Sequence, residues 1–371
     1  MAGLTDIVNR HGAEYLEMFG NKILPSHKRA LADMACCRTE TMGGHLFECD
    51  VCGHQHYSYH SCKNRSCPKC HGSDTKRWLE NREEEMLPVP YFHLVFTLPA
   101  ELRDVVRRNQ KNLYGVLMQA AAESLMKIGM DTHYIGGQLG MLAVLHTWTR
   151  AMEHHPHVHL LVPAGGLSKD GVWRRARKKF LVPVQALSKG FRARFIKLAQ
   201  KTLPEENLPK EVWDKDWVVY CKPTFKKAKK VLRYLGRYVH RIAITDNRIL
   251  SLEDGIVTFR YQNSGTHQWK TMRLAAKEFL RRYLQHVLPQ GFHKVRYYGL
   301  LSPANRVTLK RVQLLLSTRI KRREEAEDAI PQAGVGHVCP CCSEGMMVVV
   351  SWLPRRSRSP PLWENRKSEM E

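Results

Sequence analysis

A histidine-rich segment places the strongest constraint on how this chain can fold. His157 and His159 flank Val158, and the apolar run 160–162 follows directly. Because side chains alternate along a strand, we expect both imidazoles on one face and Val158 in a core on the other. Two adjacent imidazoles can hold one metal ion. A structural or surface role for a histidine-rich strand is the competing interpretation.

The charge balance indicates a nucleic-acid partner. Lys and Arg number 59 against 35 Asp and Glu, which gives a formal net charge of +24. An excess of this size is typical of proteins that neutralise phosphates. An anionic membrane surface is the rival partner, but the charge is spread along the chain and no basic amphipathic anchor stands out. Candidate DNA-binding side chains are Lys63, Arg65, Arg233, Arg237 and Arg241.

A second patterned segment predicts an amphipathic helix at residues 231–245. Its apolar side chains recur at helical spacing. Tyr234 and Tyr238 fall together on another stripe, one turn apart, and Arg241 shares it. Taken alone, the pattern also fits an ordinary helix with two tyrosines at the edge of a core.

Two C-x-x-C pairs predict a structural zinc site. Their spacing lets each pair supply two thiolates to one tetrahedral ion, which leaves no coordination position open for chemistry. The predicted ligands are Cys49, Cys52, Cys67 and Cys70.

Further cysteines leave alternatives open. Cys37 and Cys62 could form a second zinc site with neighbouring histidines. Cys339 and Cys342 make one more C-x-x-C pair, but no second pair follows it. This pair could bind a metal ion together with a neighbouring His or Cys, or its thiols could be reduced and exposed.

The termini and the apolar stretches favour a cytosolic protein. The N-terminus lacks the basic start and apolar core of a secretory signal, and no stretch approaches the roughly 18 apolar residues of a membrane span. Disulfides are disfavoured in the cytosol, so clustered cysteines point to metal.

The order of predicted elements indicates an α+β fold, an antiparallel sheet covered by helices. The strands around residues 140–149 and 157–166 are expected to pair, with the histidines facing a ligand. The predicted strands are 91–99, 140–149, 157–166, 217–223, 257–264 and 268–274, and helices are predicted at 101–129 and 275–289.

Five motifs together resemble those of a known family. In order and spacing they closely resemble the two-tyrosine transposases of the insertion-sequence 91 family, within the wider His-hydrophobic-His endonuclease superfamily. The resemblance runs from about residue 30 to about residue 345. The motifs are SCKNRSCPKC at 61–70, FTLP at 96–99, HPHVHLLVPAGGL at 155–167, VLRYLGRYVHRIAI at 231–244 and FHKVRYYGLLS at 292–302.

The resemblance implies a rolling-circle transposase that cuts one DNA strand at a time. His157 and His159 match the family's metal-binding pair, and Tyr234 and Tyr238 match its two nucleophiles. The cysteine pairs match its N-terminal zinc domain. The implied cofactors are structural Zn²⁺ and catalytic Mg²⁺ or Mn²⁺. The implied partners are single-stranded or hairpin transposon ends and target DNA, in the cytoplasm of a bacterium at the nucleoid.

The chemistry of these residue types gives the same roles. A cation held by two imidazoles and one further group would draw charge from a non-bridging phosphate oxygen. A tyrosine oxygen could then attack and leave a 5′-phosphotyrosine and a free 3′-OH. The third ligand is not evident. His240 lies around the helix from the tyrosines, and Pro156 could turn the chain before His155 points inward.

The organisation of the chain and the resemblance together suggest four regions. They are a helical lead and zinc-binding module at 1–88, a His-hydrophobic-His nuclease domain at 89–250, a C-terminal α/β region with a possible small zinc knuckle at 251–352, and a disordered basic tail at 353–371.

Two alternative functions stay open at this point. A plasmid replication initiator or relaxase would use the same chemistry. A non-catalytic zinc DNA-binding regulator would explain the charge and the cysteines, but it leaves the histidine and tyrosine pairs as coincidences. The sequence sets neither the oligomeric state nor the DNA sequences at the ends of the element.

Overall fold

The computed structural model describes residues 3–70, 72–177, 180–224, 236, 242–263, 265–317 and 337–355. Its helices are α1 (Leu4–Phe19), α2 (Pro25–Ala35), α3 (Gly72–Glu83), α4 (Arg103–Arg108), α5 (Gln110–Gly129), α6 (Val184–Thr202), α7 (Glu211–Asp214), α8 (Ala276–Leu284) and α9 (Arg306–Ser317). Its strands are β1 (Gly44–Cys49), β2 (Gln55–Tyr59), β3 (Tyr91–Thr97), β4 (Gly140–Trp148), β5 (His154–Pro163), β6 (Gly165–Leu167), β7 (Trp173–Arg175), β8 (Val219–Pro223), β9 (Ile249–Glu253), β10 (Ile256–Gln262), β11 (Trp269–Ala275), β12 (Val295–Gly299) and β13 (Met347–Leu353).

The chain forms two compact units, each assembled from separate segments. Unit 1 contains Met1–His71, Ile242–Val287 and Ala326–Glu371, and unit 2 contains Gly72–Arg241 and Leu288–Glu325. The residues predicted as one C-terminal region are therefore shared between the units. The division into four regions stays a prediction.

Unit 2 is built on a five-stranded sheet in the order β12-β4-β5-β3-β8, with every neighbouring pair antiparallel. The predicted α+β class is confirmed. One face of the sheet is lined by alternate apolar side chains, which bury against α5 and α6. Because the strand period is two, the intervening side chains form the opposite face. The core-facing strand residues include Phe92, Leu94, Phe96, Met141, Ala143, Leu145, Val158, Leu160 and Val162.

The opposite face of this sheet has two halves of different character. At one end, Leu142 of β4 and Leu161 of β5 join a second core with Leu309 and Val312 of α9. The other end of β4 and β5 carries the histidines. The apolar half therefore anchors the strands that present the imidazoles.

Strand β5 begins at His154, three residues before the predicted start, and runs through Pro156. Proline has no N–H to give to a ladder, so inside sheets it is confined to edges and irregular positions. The β4–β5 register shifts between His146 and Trp148, which is where the strand passes Pro156. The Pro156 carbonyl still accepts a hydrogen bond from the Leu98 N–H, at 3.3 Å. The chain therefore stays extended.

Unit 1 contains two three-stranded sheets, in the orders β13-β1-β2 and β11-β10-β9. The predicted strand pair at 257–264 and 268–274 is confirmed as β10 and β11, which pair antiparallel. Helix α8 follows β11 without a gap, and Phe279 of α8 packs edge-on against Phe259 of β10 at 5.7 Å between ring centroids. Lys277 of α8 forms an ion pair with Glu14 of α1.

Among the described residues, no helix combines the length and the apolar character that a membrane crossing needs.

Candidate metal centres

Three histidines of unit 2 converge at one end of the sheet face. His146 comes from β4, and His157 and His159 come from β5. Ligand nitrogens of the three rings lie within 4.8 Å of one another. The ring centroids are 5.5 Å apart for His146 and His157, 4.6 Å for His146 and His159, and 5.0 Å for His157 and His159. This spacing would let one ion contact all three imidazoles.

The strand register explains the convergence. His146 lies directly opposite His157 in the antiparallel pair, so the two side chains share a face. His159 follows two positions along β5 and returns to the same face. Val158, between them, points into the main core and is fully buried.

Burial and hydrogen bonding orient the rings. His146 and His159 are only 3% and 7% exposed, whereas His157 is half-buried. The Nδ1 of His157 lies 2.7 Å from the backbone oxygen of His155. Because a carbonyl only accepts, this Nδ1 carries the proton, and Nε2 becomes the nitrogen that can bind a cation.

His93 of β3 supports His159 in the same way. Its Nε2 lies 2.8 Å from Nδ1 of His159, and the rings stack with an interplanar angle of 4°. Burial lowers the pKa of His93 to about 4, so the ring is neutral and its Nε2 can accept a hydrogen bond from His159. With Nδ1 of His159 donating, its Nε2 is left for the cation. Metal-bound histidines commonly have such a hydrogen-bond partner on the second nitrogen.

His146 and His93 were both missed as site residues by sequence reasoning. Each is a lone histidine inside a strand that was correctly predicted as apolar. The predicted antiparallel pairing of β4 with β5 could have brought His146 into consideration. The sequence does not give the register that sets His146 opposite His157, so the pairing alone did not identify it. His155 lies outside the group of three, although its ring is 5.5 Å from that of His157.

The predicted tyrosine helix at 231–245 lies outside the described residues apart from Gly236 and residues 242–245, and the latter four are not helical. The residues outside include Tyr234 and Tyr238, the candidate DNA-binding residues Arg233, Arg237 and Arg241, and His240. Within the segment the structure describes Gly236, which is helical and buried. A Cβ added there would lie 2.9 Å from the Leu79 side chain of α3. The roles of the tyrosines therefore stay predictions.

Eight cysteines of unit 1 form two groups of four, and within each group the sulfur atoms lie within 4.8 Å of one another. Neighbouring sulfurs are 3.6–3.7 Å apart. Four thiolates about 2.3 Å from a tetrahedral zinc ion would be about 3.8 Å apart. Both groups therefore fit zinc. The first group is Cys37, Cys62, Cys67 and Cys70, and the second is Cys49, Cys52, Cys339 and Cys342.

This grouping corrects the predicted ligand set. The predicted site joined the pairs Cys49–Cys52 and Cys67–Cys70, but the structure places these pairs in different groups. Cys37 and Cys62, considered for a second site, lie with Cys67 and Cys70. The reason is the pairing of β13 with β1, because it brings the C-terminal cysteine pair to the end of β1.

Two of the candidate DNA-binding residues flank the first cysteine group. Lys63 and Arg65 lie in the loop between Cys62 and Cys67, and both are exposed. Lys63 therefore faces the solvent, from which an anionic partner would approach, whereas partial burial lowers the pKa of the Arg65 guanidinium below its ordinary value. Tyr297 and Tyr298 of β12 are packed against the two cores of unit 2.

Two protein-family models together match most of the described chain. A family model described as "Transposase zinc-binding domain" matches residues 7–98. A second, described as "Putative transposase", matches residues 140–308. The first match contains both N-terminal cysteine pairs, and the second contains all three clustered histidines.

Comparisons with individual proteins agree. The chain is 35% identical to "Putative transposase y4qJ" of Sinorhizobium fredii (strain NBRC 101917 / NGR234), over 97% of this chain and 98% of that protein. It is 30% identical to the transposase for insertion sequence element IS801 of Pseudomonas savastanoi pv. phaseolicola, over 74% of this chain and 69% of that protein.

Among solved structures, a bacterial tRNA(His) guanylyltransferase (Thg1)-like protein in complex with ATP covers 59% of this chain and 99% of its own, at 10% identity. Its TM-score of 0.20 is too low to support an argument about fold. The two family matches and the two relatives carry the assignment instead. The chain belongs to the insertion-sequence 91 family of transposases.

Proposed function

We propose that this transposase nicks and rejoins single DNA strands in rolling-circle transposition, through a 5′-phosphotyrosine intermediate. The observation that carries the proposal is the convergence of His146, His157 and His159 on one end of the sheet. The substrates we propose are single-stranded or hairpin ends of the element and the target strand. The net charge of +24 supports an extended phosphate-binding surface.

The three imidazoles would hold a divalent cation. When bound, such a cation supplies Lewis acidity to a non-bridging oxygen of the scissile phosphate. The protein's part is to fix the three nitrogens on rigid strands. The hydrogen bonds of His157 to the His155 carbonyl and of His159 to His93 set which nitrogens point to the ion. Between Mg²⁺ and Mn²⁺, nitrogen ligands favour Mn²⁺, because Mg²⁺ prefers oxygen.

The tyrosines would carry the covalent step. The phenol oxygen of Tyr234 or Tyr238 attacks phosphorus and gives up its proton, and the bond from phosphorus to the 3′ oxygen breaks. The leaving 3′ oxygen takes up a proton, and the 5′ phosphate stays on the tyrosine. In rejoining, a 3′-OH attacks that phosphate and releases the phenol. The phosphodiester energy is retained throughout, so no ATP is needed.

Two nucleophiles would allow two strand ends to be handled by one chain. While one tyrosine holds a cut end, the other can cut or receive the next strand. Arg233, Arg237 and Arg241 are proposed to contact phosphates beside them. This division of labour rests on the sequence pattern and on the family resemblance.

We also propose a structural zinc ion at Cys37, Cys62, Cys67 and Cys70. The zinc-binding domain match and the sulfur spacing support it. Four thiolates occupy every coordination position of a tetrahedral zinc ion, which leaves none for chemistry. The role of the ion would be to stabilise the folded loop that carries Lys63 and Arg65. That loop would contact the DNA backbone.

The experiment that tests the proposed chemistry looks for the covalent intermediate. Purified protein is incubated with end-labelled single-stranded DNA carrying the end of the element, with Mn²⁺, Mg²⁺ or chelator, and products are separated by denaturing electrophoresis. The variants are Tyr234→Phe, Tyr238→Phe, the double Phe variant, His146→Ala and His157→Ala. His133→Ala is the matched control, because His133 is exposed and outside the cluster.

We expect a protein–DNA adduct that requires metal, both histidines and at least one tyrosine. The control should form adduct at the wild-type rate, and the single Phe variants will rank the tyrosines. If the double Phe variant still forms the adduct, or if His146→Ala and His157→Ala leave it unchanged, the proposed chemistry fails. DNA binding without any adduct would instead favour a zinc-dependent DNA-binding regulator.

A further inference from the structure

We propose that Cys49, Cys52, Cys339 and Cys342 bind a second structural zinc ion, which fastens the C-terminal strand β13 onto the N-terminal sheet. The proposal is independent of the strand-transfer chemistry. It concerns ligands drawn from two parts of the chain about 290 residues apart, since Cys52 and Cys339 are separated by 287 positions and Cys49 and Cys342 by 293.

The sulfur geometry is that of a metal site. Cys49 Sγ lies 3.7 Å from Cys342 Sγ, and Cys52 Sγ lies 3.7 Å from Cys339 Sγ. A disulfide would bring two sulfurs to about 2.05 Å. Four thiolates around one tetrahedral zinc ion would stand about 3.8 Å apart. The observed spacing therefore matches thiolates that share one ion.

Backbone amides support the thiolate form at both halves of the site. An N–H that points at sulfur stabilises negative charge there, and the thiolate is the form that binds metal. The N–H groups of Val51 and Cys52 donate to Cys49 Sγ at 3.4 and 3.5 Å, that of Cys341 donates to Cys339 Sγ at 3.3 Å, and that of Gly345 donates to Cys342 Sγ at 3.3 Å.

The two halves are held together by strand pairing. Cys49, the last residue of β1, lies opposite Met347, the first residue of β13. Beyond the strand ends, the Asp50 N–H donates to the Met346 carbonyl at 3.2 Å, and Asp50 Oδ1 accepts from the Met346 N–H at 2.8 Å. Gly345 passes so close to Cys49 that a Cβ on it would collide with the Cys49 sulfur. These contacts thus bring the Cys49–Cys52 pair and the Cys339–Cys342 pair together.

Strand β13 buries little apolar surface. Val348, Val349 and Val350 are each close to half exposed, and Trp352 is 74% exposed. Apolar burial is the main stabilising contribution in most packed strands. A metal site can supply additional free energy, because an ordered site exists only in the folded chain.

The zinc-binding family match covers residues 7–98 and therefore only half of this ligand set. Cys49 and Cys52 fall inside it, whereas Cys339 and Cys342 lie far beyond its end. By itself the matched region could supply only two of the four thiolates. The second zinc ion would complete its shell with the C-terminal pair.

The first test counts metal ions. Full-length protein carrying His157→Ala, so that the imidazole cluster adds no zinc, is purified without chelator, and zinc per chain is measured by mass spectrometry of the element. We expect two zinc ions per chain. Adding Cys339→Ser and Cys342→Ser should leave one. The matched control adds Cys341→Ser, which changes an exposed neighbouring cysteine outside the group and should leave two.

A second measurement needs no cysteine variant, so it remains decisive if the double Ser variant does not fold. The native protein is treated with iodoacetamide with and without a strong zinc chelator, and each cysteine is scored by peptide mass spectrometry. We expect Cys339, Cys342 and the exposed Cys52 to resist alkylation until the chelator is added, while Cys341 reacts in both samples. A zinc content that stays the same when Cys339→Ser and Cys342→Ser are added, or rapid alkylation of Cys52 and Cys342 before chelation, would overturn the proposal.

Discussion

Residues outside the three clustered histidines orient the imidazole rings. His157 is oriented by the His155 carbonyl, and His159 is oriented by His93. With a proton on Nδ1 of each ring, as the proposed site requires, Nε2 of each would be directed to the cation. His93 acts through His159 and is a positioning residue.

Replacing His93 should weaken metal binding without removing a ligand. We expect His93→Ala to lower Mn²⁺ affinity about 10- to 100-fold, the range seen when hydrogen-bond partners of ligands are removed. His93→Gln, whose side-chain oxygen can accept the same hydrogen bond, should recover part of that affinity. Calorimetric Mn²⁺ titration measures both, with His133→Ala as control. Equal affinities in the wild type and His93→Ala would show that His93 only packs.

A pH effect is expected from His27 of α2. Its Nε2 is buried and makes no hydrogen bond within the described ranges, and burial lowers its pKa from 6.5 to about 4. The unfolded chain therefore binds a proton between pH 6.5 and 4 that the folded chain does not, so stability falls as the pH falls through this window.

His27→Gln should flatten that dependence. The difference in urea midpoint between wild type and variant should shift in favour of the variant as the pH falls from 7 to 5. Comparing the two proteins at each pH cancels the contribution of the cysteine sites. A difference that stays constant from pH 7 to pH 5 would contradict the shifted pKa.

At the scale of elements, local sequence patterns predict individual strands, but they do not predict which distant segments pair with one another. The apolar runs at 91–99 and 140–149 correctly predicted β3 and β4, because a strand buried on both faces is apolar along its length. The register between β4 and β5 depends on the packing of the whole sheet, so His146 went unrecognised. The grouping of cysteines depends likewise on β13, which pairs with β1 from the far end of the chain.

Strand β3, which lies between β5 and the edge strand β8, should be sensitive to a cavity. Phe96 is fully buried and packs edge-on against Phe191 of α6, with ring centroids 5.0 Å apart. Phe96→Ala should lower the free energy of unfolding by about 3–5 kcal/mol. Phe180→Ala, which removes a partly exposed ring, should cost less than about 1 kcal/mol. Urea unfolding measures both, and similar decreases in the two variants would show that Phe96 is not a core anchor.

At the scale of the whole molecule, we expect the excess of positive charge to govern DNA affinity. A protein that neutralises 6–10 phosphates loses about 10³–10⁵-fold in affinity between 50 and 200 mM salt. We expect binding to single-stranded DNA to follow this steep dependence. Fluorescence anisotropy across a salt series measures the slope.

Lys63 and Arg65 should each contribute to that slope. Changing both to Gln should reduce it by about two, because two phosphates would no longer be neutralised by a cationic side chain. Lys169→Gln, on an exposed turn of unit 2 to which we assign no DNA contact, is the control and should leave the slope unchanged. An unchanged slope in the double variant would remove these two residues from the DNA surface.

The two cysteine pairs of the second group lie far apart in the sequence, and this separation affects when the group can assemble during synthesis. A ribosome adds about 5–20 residues per second, so the 287 positions between Cys52 and Cys339 take roughly 15–60 s to synthesise. Throughout that interval Cys49 and Cys52 are without their partners. The site can close only after residue 342 has been added, which makes its completion a late event in the production of each transposase molecule. A message cut short before that point would yield a chain that can never close it.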